Sequence, residues 1–504
     1  MESLPDEVFE NLCRYLPPSD LKSMLLVDRF SRSIIESSPV LMEKLPIYVT
    51  DLDEFEYVKD LYGFGISDCE DNRQLEPLMH SNRNKFGLSI RIVDIKNYTF
   101  DTIDQLRFVL RFLPKLKTLT LTNVTFQRAE NKILNSIVQV PKISLNELRN
   151  INCVNSDPKI FSLFSINKDT QLRAIRLDVS ESPTYQYYDF IKAINQQTML
   201  THLTLTGFTD NCDIFHHNHL AVNQLESFHI ENCLLNHRNH VKNLVQMIKD
   251  QRKLKVLKIL NTPISTASEI MRTYRQILVH YIDELSVDIR NLLVFHHHHF
   301  TNKTITKLVI YGNFVFENLP VFVNFIKMFP NVIRLSLVGD AAIGDKYLFH
   351  ILGTLTKLEE LQIPGFTSRA ADSNFANLST IDCNLQTLVL DFIDFDVKFF
   401  GWKNIVSNLR TIKKLIVKRD YGKVSNEIID LIIKNLSLEH LELGIGVVSE
   451  KILQNIVSNN YCTQLKVLKI AKSDFEKIDA NFSFSDILER NHLLLHLCDN
   501  EYFF

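Results

Sequence analysis

The sequence predicts an α/β fold in which a short N-terminal group of helices precedes a long array of repeated strand-and-helix units. Two observations predict this organisation. Apolar residues recur as L-x-x-L-x-L through most of the chain, with Ile, Val or Phe replacing some Leu residues, as in "LKTLTL", "VIRLSL" and "LEHLEL". Residues 4–25 instead carry dense apolar side chains at the three-to-four spacing of a helix.

The repeats follow one another at nearly constant intervals. Counted from the first apolar position, they begin at residues 90, 116, 145, 172, 200, 225, 254, 282, 305, 332, 358, 385, 412, 438 and 465. The mean interval is about 27 residues, within the range of 20–29 that is typical of leucine-rich repeats. Asn150 is the polar exception among the signature positions. We therefore expect the repeat at 145, and the short repeat at 282, to be irregular.

Each repeat supplies one strand and one return segment. The last two apolar positions lie two residues apart and point to the same side of a strand. Several return segments have helical periodicity, as in "TIDQLRFVLRFL", "VKNLVQMIKD", "NEIIDLIIKNL" and "SEKILQNIVSNN". One unit cannot bury its apolar face alone, so neighbouring units must stack.

This pattern resembles the leucine-rich repeat. The resemblance implies that residues 90–504 form a curved solenoid of about 15 repeats with a C-terminal cap. Parallel strands would line its concave face and helices its convex face. Residues 46–89 are expected to be a connecting or capping segment.

The N-terminal stretch predicts three short helices within residues 1–45. Pro5 and Asp6 are favourable at the start of the first helix, and Ser19 is placed to cap the second. The third helix is expected to run through Ile34 and Ile35. A unit this small seldom buries enough apolar surface to stand alone, so its apolar face is expected to contact the repeats or another protein.

The stretch "LPDEVFENLCRYLPPSDLKSMLLVDRF" resembles the F-box in the order and spacing of its residues. In that family, apolar residues of the motif bind a Skp-type adaptor, which links to a cullin scaffold. The resemblance implies that the adaptor-binding residues here are Leu4, Pro5, Val8, Leu12, Leu16, Pro17, Leu21, Leu25 and Val27.

An F-box followed by leucine-rich repeats is similar to the substrate-recognition subunits of Skp–cullin–F-box ubiquitin ligases. The resemblance implies that the short motif joins the ligase and that the repeats select the protein to be ubiquitinated. The alternative is a ligase-independent scaffold or receptor that uses the repeats alone.

Outward-facing strand positions are the expected binding surface of the repeats. Aromatic and Arg side chains often dominate binding energy, and basic residues attract acidic partners. The expected substrate-binding residues are Tyr311, Arg334, Phe392, Lys414, Lys418, Arg419, Lys469 and Lys472. Two interpretations are open: a charged face that is simply solvated, and a pocket for an acidic or phosphorylated segment.

Composition argues against several classes of protein. The formal net charge of −3 disfavours a general nucleic-acid-binding or membrane-surface protein. No secretory signal or membrane-spanning run is visible, and the eight cysteines form no C-x-x-C pair. We therefore expect a cytoplasmic or nuclear protein with free thiols.

No cofactor or catalytic residue is expected, because nucleotide-binding, hydrolase and zinc-protease motifs are missing from the sequence. Three histidine-rich stretches, "CDIFHHNHL", "CLLNHRNH" and "FHHHHF", admit a metal site. Solvent-facing histidines on return segments are the preferred interpretation, since zinc sites usually have more closely paired cysteines.

Overall fold

The protein is represented by a computed structural model. It describes residues 6–16, 21, 24, 31, 34–35, 38, 41, 48–49, 63–67, 91–100, 102–111, 113, 115–126, 145–166, 171–180, 187–208, 222–235, 238–262, 281–292, 301–314, 318–339, 343–364, 366–367, 384–391, 410–419, 437–445, 464–471 and 494–498. The chain divides into two compact units. Unit 1 contains residues 1–254 and 261–265, and unit 2 contains residues 255–260 and 266–504.

Unit 1 contains a ladder of parallel strands that pair in sequence order. The ladder strands are β1 (Tyr48–Val49), β2 (Gly63–Ser67), β3 (Ile92–Lys96), β5 (Thr118–Thr122), β7 (Asn150–Val154), β8 (Ala174–Asp178), β9 (His202–Thr206) and β10 (Ser227–Glu231). A separate parallel pair joins β4 (Thr99–Phe100) to β6 (Thr125–Phe126).

Unit 2 has the same construction. Its ladder strands are β11 (Val256–Leu260), β12 (Glu284–Asp288), β13 (Lys307–Tyr311), β14 (Arg334–Val338), β16 (Glu360–Ile363), β18 (Thr387–Leu390), β19 (Lys414–Arg419), β20 (His440–Ile445), β21 (Val467–Ala471) and β22 (Leu494–Cys498). A second parallel pair joins β15 (Ile343–Gly344) to β17 (Phe366–Thr367).

Several strands bury alternate side chains, as the repeat pattern predicts, for example β5, β7 and β10. In β5, Leu119 and Leu121 are fully buried, while Thr118, Thr120 and Thr122 are half-buried on the other face. The parallel register places equivalent apolar residues side by side in successive repeats, so their buried side chains lie in rows along the ladder. The α/β leucine-rich-repeat fold predicted from the sequence is confirmed within each unit.

One repeat frame was wrong. The sequence pattern predicted that the three signature positions of this repeat are Leu145, Leu148 and Asn150. In the structure, the buried residues at these three positions of the register are Leu148, Ile151 and Cys153. Asn150 pairs in register with Thr118 on one side and Ala174 on the other, and it lies on the outward face. The signature is therefore shifted by three residues, and its polar exception disappears.

The ladder also extends beyond the predicted repeats. β1 and β2 lie in the segment 46–89 that was expected to be a connection or cap, and β2 pairs in parallel with β3. β22 continues the ladder of unit 2 after the last predicted repeat. The predicted boundaries after residues 45 and 89 stay predictions.

Left-handed residues end several strands of unit 1. Asn97, Asn123, Asn155 and Asn232 have φ between 49° and 56°, and Gly207 has φ 80° at the equivalent place. This conformation is favourable for Gly and tolerable for Asn. Such a backbone directs the Asn123 N–H to the Val154 carbonyl of the next repeat at 2.9 Å. Consecutive repeats are thus linked at their turns as well as in the sheet.

Short helices fill the return segments. Unit 1 contains α1 (Asp6–Cys13), α2 (Ile103–Arg111), α3 (Ser162–Ile166), α4 (Tyr188–Asn195) and α5 (Arg238–Asp250), and a 3₁₀ helix (Pro158–Phe161) leads into α3. Unit 2 contains α6 (Ile289–Leu292), α7 (Leu319–Ile326) and α8 (Asp345–Thr354). The predicted helices in "TIDQLRFVLRFL" and "VKNLVQMIKD" are confirmed as α2 and α5, whereas the other two lie outside the described residues. None of the described helices is long and apolar enough to cross a membrane.

Candidate functional site

Two surfaces carry the residues that the sequence singles out: the first helix of unit 1 and the outward face of the ladder in unit 2. The first helix, α1, has two different sides. Phe9 and Cys13 are buried, whereas Val8 and Leu12 are 43% and 56% exposed. Tyr15, in the turn that follows α1, is 89% exposed. Residues four and three positions apart share one side of a helix, so these exposed side chains form an apolar stripe along α1. The stripe Val8–Leu12–Tyr15 is called the α1 stripe below.

The buried side of α1 belongs to a small core of its own. Phe9 and Cys13 pack with Leu21, Ile34, Ile35 and Leu41, and Leu16 and Met24 are partly buried against this cluster. Because Leu21 is fully buried, its assignment as an adaptor contact is corrected: it supports the helical core. The predicted residues Leu4, Pro5, Pro17, Leu25 and Val27 lie outside the described part of the chain.

Polar contacts hold α1 to the rest of this core. The Glu10 carboxylate accepts a hydrogen bond from Ser38 Oγ at 2.7 Å and one from Arg14 Nη2 at 2.9 Å. The Ser38 hydrogen bond lowers the pKa of Glu10, and the hydrogen bond and positive charge of Arg14 lower it further. The carboxylate therefore stays ionised and keeps both bonds at neutral pH.

On the outward face of unit 2, Glu442 is surrounded by three nitrogen donors. Glu442 Oε1 lies 3.1 Å from Lys414 Nζ, 3.5 Å from Lys469 Nζ and 2.6 Å from His440 Nε2. Partial burial and the Lys414 charge lower the pKa of His440, so its neutral ring donates from Nε2. Burial raises the pKa of Glu442, but Lys414 and Lys469 outweigh that effect and lower it.

A second carboxylate nearby is also shared by two lysines. Glu439 Oε2 lies 2.7 Å from Lys466 Nζ, and Glu439 Oε1 lies 3.6 Å from Lys413 Nζ. The Lys466 hydrogen bond lowers the pKa of Glu439. The sequence reading missed Lys413 and Lys466 because they occupy the second position of the repeat. That position had not been counted among the outward places.

The other predicted basic residues of this face are paired one to one. Lys418 Nζ lies 2.7 Å from Asp391 Oδ1, and Arg334 Nε lies 3.5 Å from Glu360 Oε2. Asp391 also accepts a hydrogen bond from Gln362 Nε2 at 3.0 Å. These ion pairs neutralise the charges of Lys418 and Arg334, and the role of both residues as substrate contacts stays a prediction.

The side chains of three further predicted residues are not described by the structure. Phe392, Lys472 and the side chain of Arg419 lie outside what the structure describes. Tyr311 ends β13 with a half-buried side chain. Its role as a substrate contact stays a prediction.

Unit 1 presents a different outward face, with many neutral hydrogen-bonding side chains. Asn150 Nδ2 donates to Thr118 Oγ1 at 3.2 Å, and Asn152 Nδ2 donates to Thr120 Oγ1 at 3.4 Å. Charged pairs such as Arg176–Asp178 are fewer on these strands than on those of unit 2. The two units therefore offer surfaces of different chemistry.

The structure tests little of the metal interpretation. Cys233 is buried and donates to backbone carbonyls from its thiol, as a structural cysteine does. Among the described residues, no group of three His, Cys, Asp or Glu side chains is placed to hold a metal ion. The clusters at 212–219 and 296–299, and His237, lie outside the described residues.

Two solved structures are similar to this chain at low sequence identity. The TLR13 chain of the TLR13–ssRNA13 complex is 14% identical, with a TM-score of 0.40 over 90% of this chain and 69% of that one. A leucine-rich-repeat protein of Leptospira interrogans is 15% identical, with a TM-score of 0.38 over 90% of this chain and 100% of that one. Neither a family model nor a curated protein matches the sequence.

Proposed function

We propose that this leucine-rich-repeat chain is the substrate-recognition subunit of a Skp–cullin–F-box ubiquitin ligase. The observation that carries the proposal is the α1 stripe, which exposes apolar side chains on a helix whose other side is already packed. The F-box-like order of residues 4–27 supplies the identity of the partner, a Skp-type adaptor.

Exposed large apolar side chains are concentrated at this place. Of the seven found among the described residues, Val8, Leu12 and Tyr15 lie within eight consecutive positions. Single exposed apolar residues need no explanation, but a stripe of them is typical of an interaction surface. Burying a Leu side chain is worth about 1.5–3 kcal/mol. Covering the α1 stripe with a partner therefore offers a substantial part of a binding free energy.

In this proposal the ladder of each unit holds the protein to be ubiquitinated. Strand positions one, three and five are at least partly exposed in strands such as β5 and β14, so a partner meets a row of side chains on a regular backbone. The chain binds and positions other proteins and performs no bond-breaking step itself. Its proposed location is the cytoplasm or the nucleus.

The experiment compares the full chain with a chain that lacks residues 4–26. Both are captured from cells through the same C-terminal tag and probed for the Skp-type adaptor and a cullin. The proposal expects both proteins with the full chain and neither with the deletion. Absence of the adaptor from both samples would favour the ligase-independent scaffold or receptor.

A point variant separates the stripe from the fold of the motif. Leu12→Asp places a charge on the exposed side of α1, where it disturbs no buried contact. Leu234→Asp is the matched control, since Leu234 is also an exposed leucine of unit 1, with 40% exposure. Capture of the adaptor is expected to fail with Leu12→Asp and to persist with Leu234→Asp.

A further inference from the structure

Among the described residues, the side chains on β19, β20 and β21 and at the positions just before these strands include more paired lysines than carboxylates. Lys413 and Lys466 share Glu439, and Lys414 and Lys469 share Glu442. Four ammonium groups thus face two carboxylates, while His440 is neutral at pH 7. We call these six charged residues the β19–β21 cluster. Its surplus is two positive charges on three neighbouring strands, within about 10 Å across the sheet.

The surplus is accessible to a partner. The side chains of Lys413 and Lys466 are 60% and 72% exposed, and those of Lys414 and Lys469 are about one-third exposed. A lysine ammonium has three donors, so a single shared carboxylate leaves donors for a further acceptor. Elsewhere on the outward face of unit 2, Lys258 and Lys307 share Glu284, whereas Arg334 and Lys418 each pair with a different acidic residue. The β19–β21 cluster therefore stands out among the described charges of the β14–β21 strands.

The chemistry favours an acidic peptide over a nucleic acid. Single-stranded nucleic acid is usually held by aromatic side chains that stack on the bases, in addition to positive charge. Of the outward strand positions beside the cluster, Ile416, Val467 and Gly444 give no stacking surface, and the ring of His440 is held against Glu442. An extended acidic segment needs only spaced ammonium groups along its path.

From these contacts we infer that the β19–β21 cluster binds an acidic segment of a protein partner, with Glu439 and Glu442 acting as internal competitors for the four lysines. The inference rests on the proposed function only in taking this partner to be the protein that is ubiquitinated. The binding itself is independent of the F-box-like motif.

The competitor role makes an unusual prediction for the two glutamates. If the acidic segment bound elsewhere on the chain, removal of Glu439 and Glu442 would leave its Kd unchanged. As competitors they occupy the lysine donors that an incoming carboxylate needs. Their removal raises the positive surplus from two charges to four and frees those donors, so an acidic peptide binds more tightly.

The test measures fluorescence anisotropy of a labelled peptide of alternating Glu and Ser with the full-length chain. Lys413→Gln/Lys469→Gln removes one lysine from each carboxylate and leaves the shorter pairs, Lys466–Glu439 at 2.7 Å and Lys414–Glu442 at 3.1 Å. The surplus disappears while each glutamate keeps a partner. Lys303→Gln/Lys327→Gln, at exposed positions of the same unit, is the control for net charge.

The expected Kd is about fivefold higher with Lys413→Gln/Lys469→Gln, the size of two partly exposed ion pairs, and unchanged with the control. Glu439→Gln/Glu442→Gln is expected to lower the Kd, and salt to raise it in all cases. The inference would be overturned if Lys413→Gln/Lys469→Gln and the control Lys303→Gln/Lys327→Gln changed the Kd equally. Weaker peptide binding by Glu439→Gln/Glu442→Gln would also overturn it. So would tighter binding of a labelled oligouridylate than of the peptide.

Failure of this inference is distinguishable from failure of the proposed function. Leu12→Asp is expected to bind the peptide normally, because the peptide does not involve the α1 stripe. Peptide binding without adaptor binding would remove only the ligase assignment. Adaptor binding without peptide binding would remove only the acidic-segment site.

Discussion

Ser38 Oγ donates a hydrogen bond of 2.7 Å to the carboxylate of Glu10, which lies 28 residues earlier in the chain. The bond joins α1, which carries Glu10, to the segment that follows the buried residues Ile34 and Ile35. The N-terminal motif is therefore held together by its own contacts, and its α1 stripe is displayed on a packed support.

Ser38→Ala is expected to raise the pKa of Glu10 toward the ordinary value of 4.5, since the Ser38 bond is the largest cause of its lowering. A carboxyl with a lowered folded-state pKa stabilises the fold above its unfolded-state pKa, and this contribution is lost as the pH falls through the folded-state pKa. NMR titration of the Glu10 side chain measures the change. Arg14→Gln should also raise this pKa, and an unchanged pKa in Ser38→Ala would contradict the assigned cause.

Leu12 and Leu21 are expected to respond differently to truncation. Leu21→Ala leaves a cavity in a fully buried cluster and should lower the free energy of unfolding of the motif by about 2–5 kcal/mol. Leu12→Ala removes an exposed side chain and should stay within about 0.5 kcal/mol. Hydrogen exchange of the α1 amides reports both. Equal losses of unfolding free energy would contradict the assignment of Leu21 to the core and of Leu12 to the surface.

The corrected repeat frame makes a prediction at adjacent positions. Ile151→Ala is expected to cost about 2–5 kcal/mol of unfolding free energy, because Ile151 is fully buried. Asn150→Ala should cost no more than about 1 kcal/mol, the value of its hydrogen bond to Thr118. Urea denaturation followed by circular dichroism measures both. A larger loss of unfolding free energy from Asn150→Ala than from Ile151→Ala would contradict the corrected frame.

Gly207 is expected to resist substitution by alanine. Its φ of 80° is left-handed, and an added Cβ would lie 2.5 Å from the backbone of Ser180. The conformation alone costs about 1–2 kcal/mol for a residue with a side chain. Gly207→Ala should therefore lower the thermal stability of unit 1 by more than Asn123→Gly, which keeps a permitted residue at the same kind of turn. Equal melting temperatures would contradict this account of the turns.

His440 should make unit 2 sensitive to mild acid. Burial, followed by the charge of Lys414, lowers the pKa of His440 below its ordinary value of 6.5. Its contribution to stability is therefore present above pH 6.5 and is lost as the pH falls through the lowered value. His440→Gln should lose less stability than the unmodified chain between neutral pH and pH 5. Thermal unfolding at a series of pH values compares them, and parallel curves would exclude this role for His440.

The repeat period, the parallel strands and most repeat frames could be predicted from the sequence, because burial of alternate residues leaves a direct trace in L-x-x-L-x-L. The frame at Asn150 could not, since "LNELRN" matches the pattern nearly as well as "LRNINC" and only strand register decides between them. β2 was missed because Gly63 and Gly65 weaken the strand signal.

The candidate sites were less predictable than the fold, because packing and cross-strand distances decide which of their side chains are exposed or paired. The sequence predicted an apolar face for the N-terminal helices, and only packing separates the buried Phe9 and Cys13 from the exposed Val8 and Leu12. Charge signs were readable, but the pairing of Glu442 with lysines of two neighbouring strands depends on cross-strand distances. The sequence could therefore suggest a basic surface without identifying where its charge is neutralised.

The central claim is that the α1 stripe binds a Skp-type adaptor. The most direct measurement is the affinity of the purified adaptor for the full-length chain, for Leu12→Asp and for Leu234→Asp by isothermal titration calorimetry. The account predicts saturable binding to the unmodified chain and to Leu234→Asp, and loss of measurable binding with Leu12→Asp, whose circular dichroism spectrum is unchanged. Unaltered adaptor affinity with Leu12→Asp would contradict it.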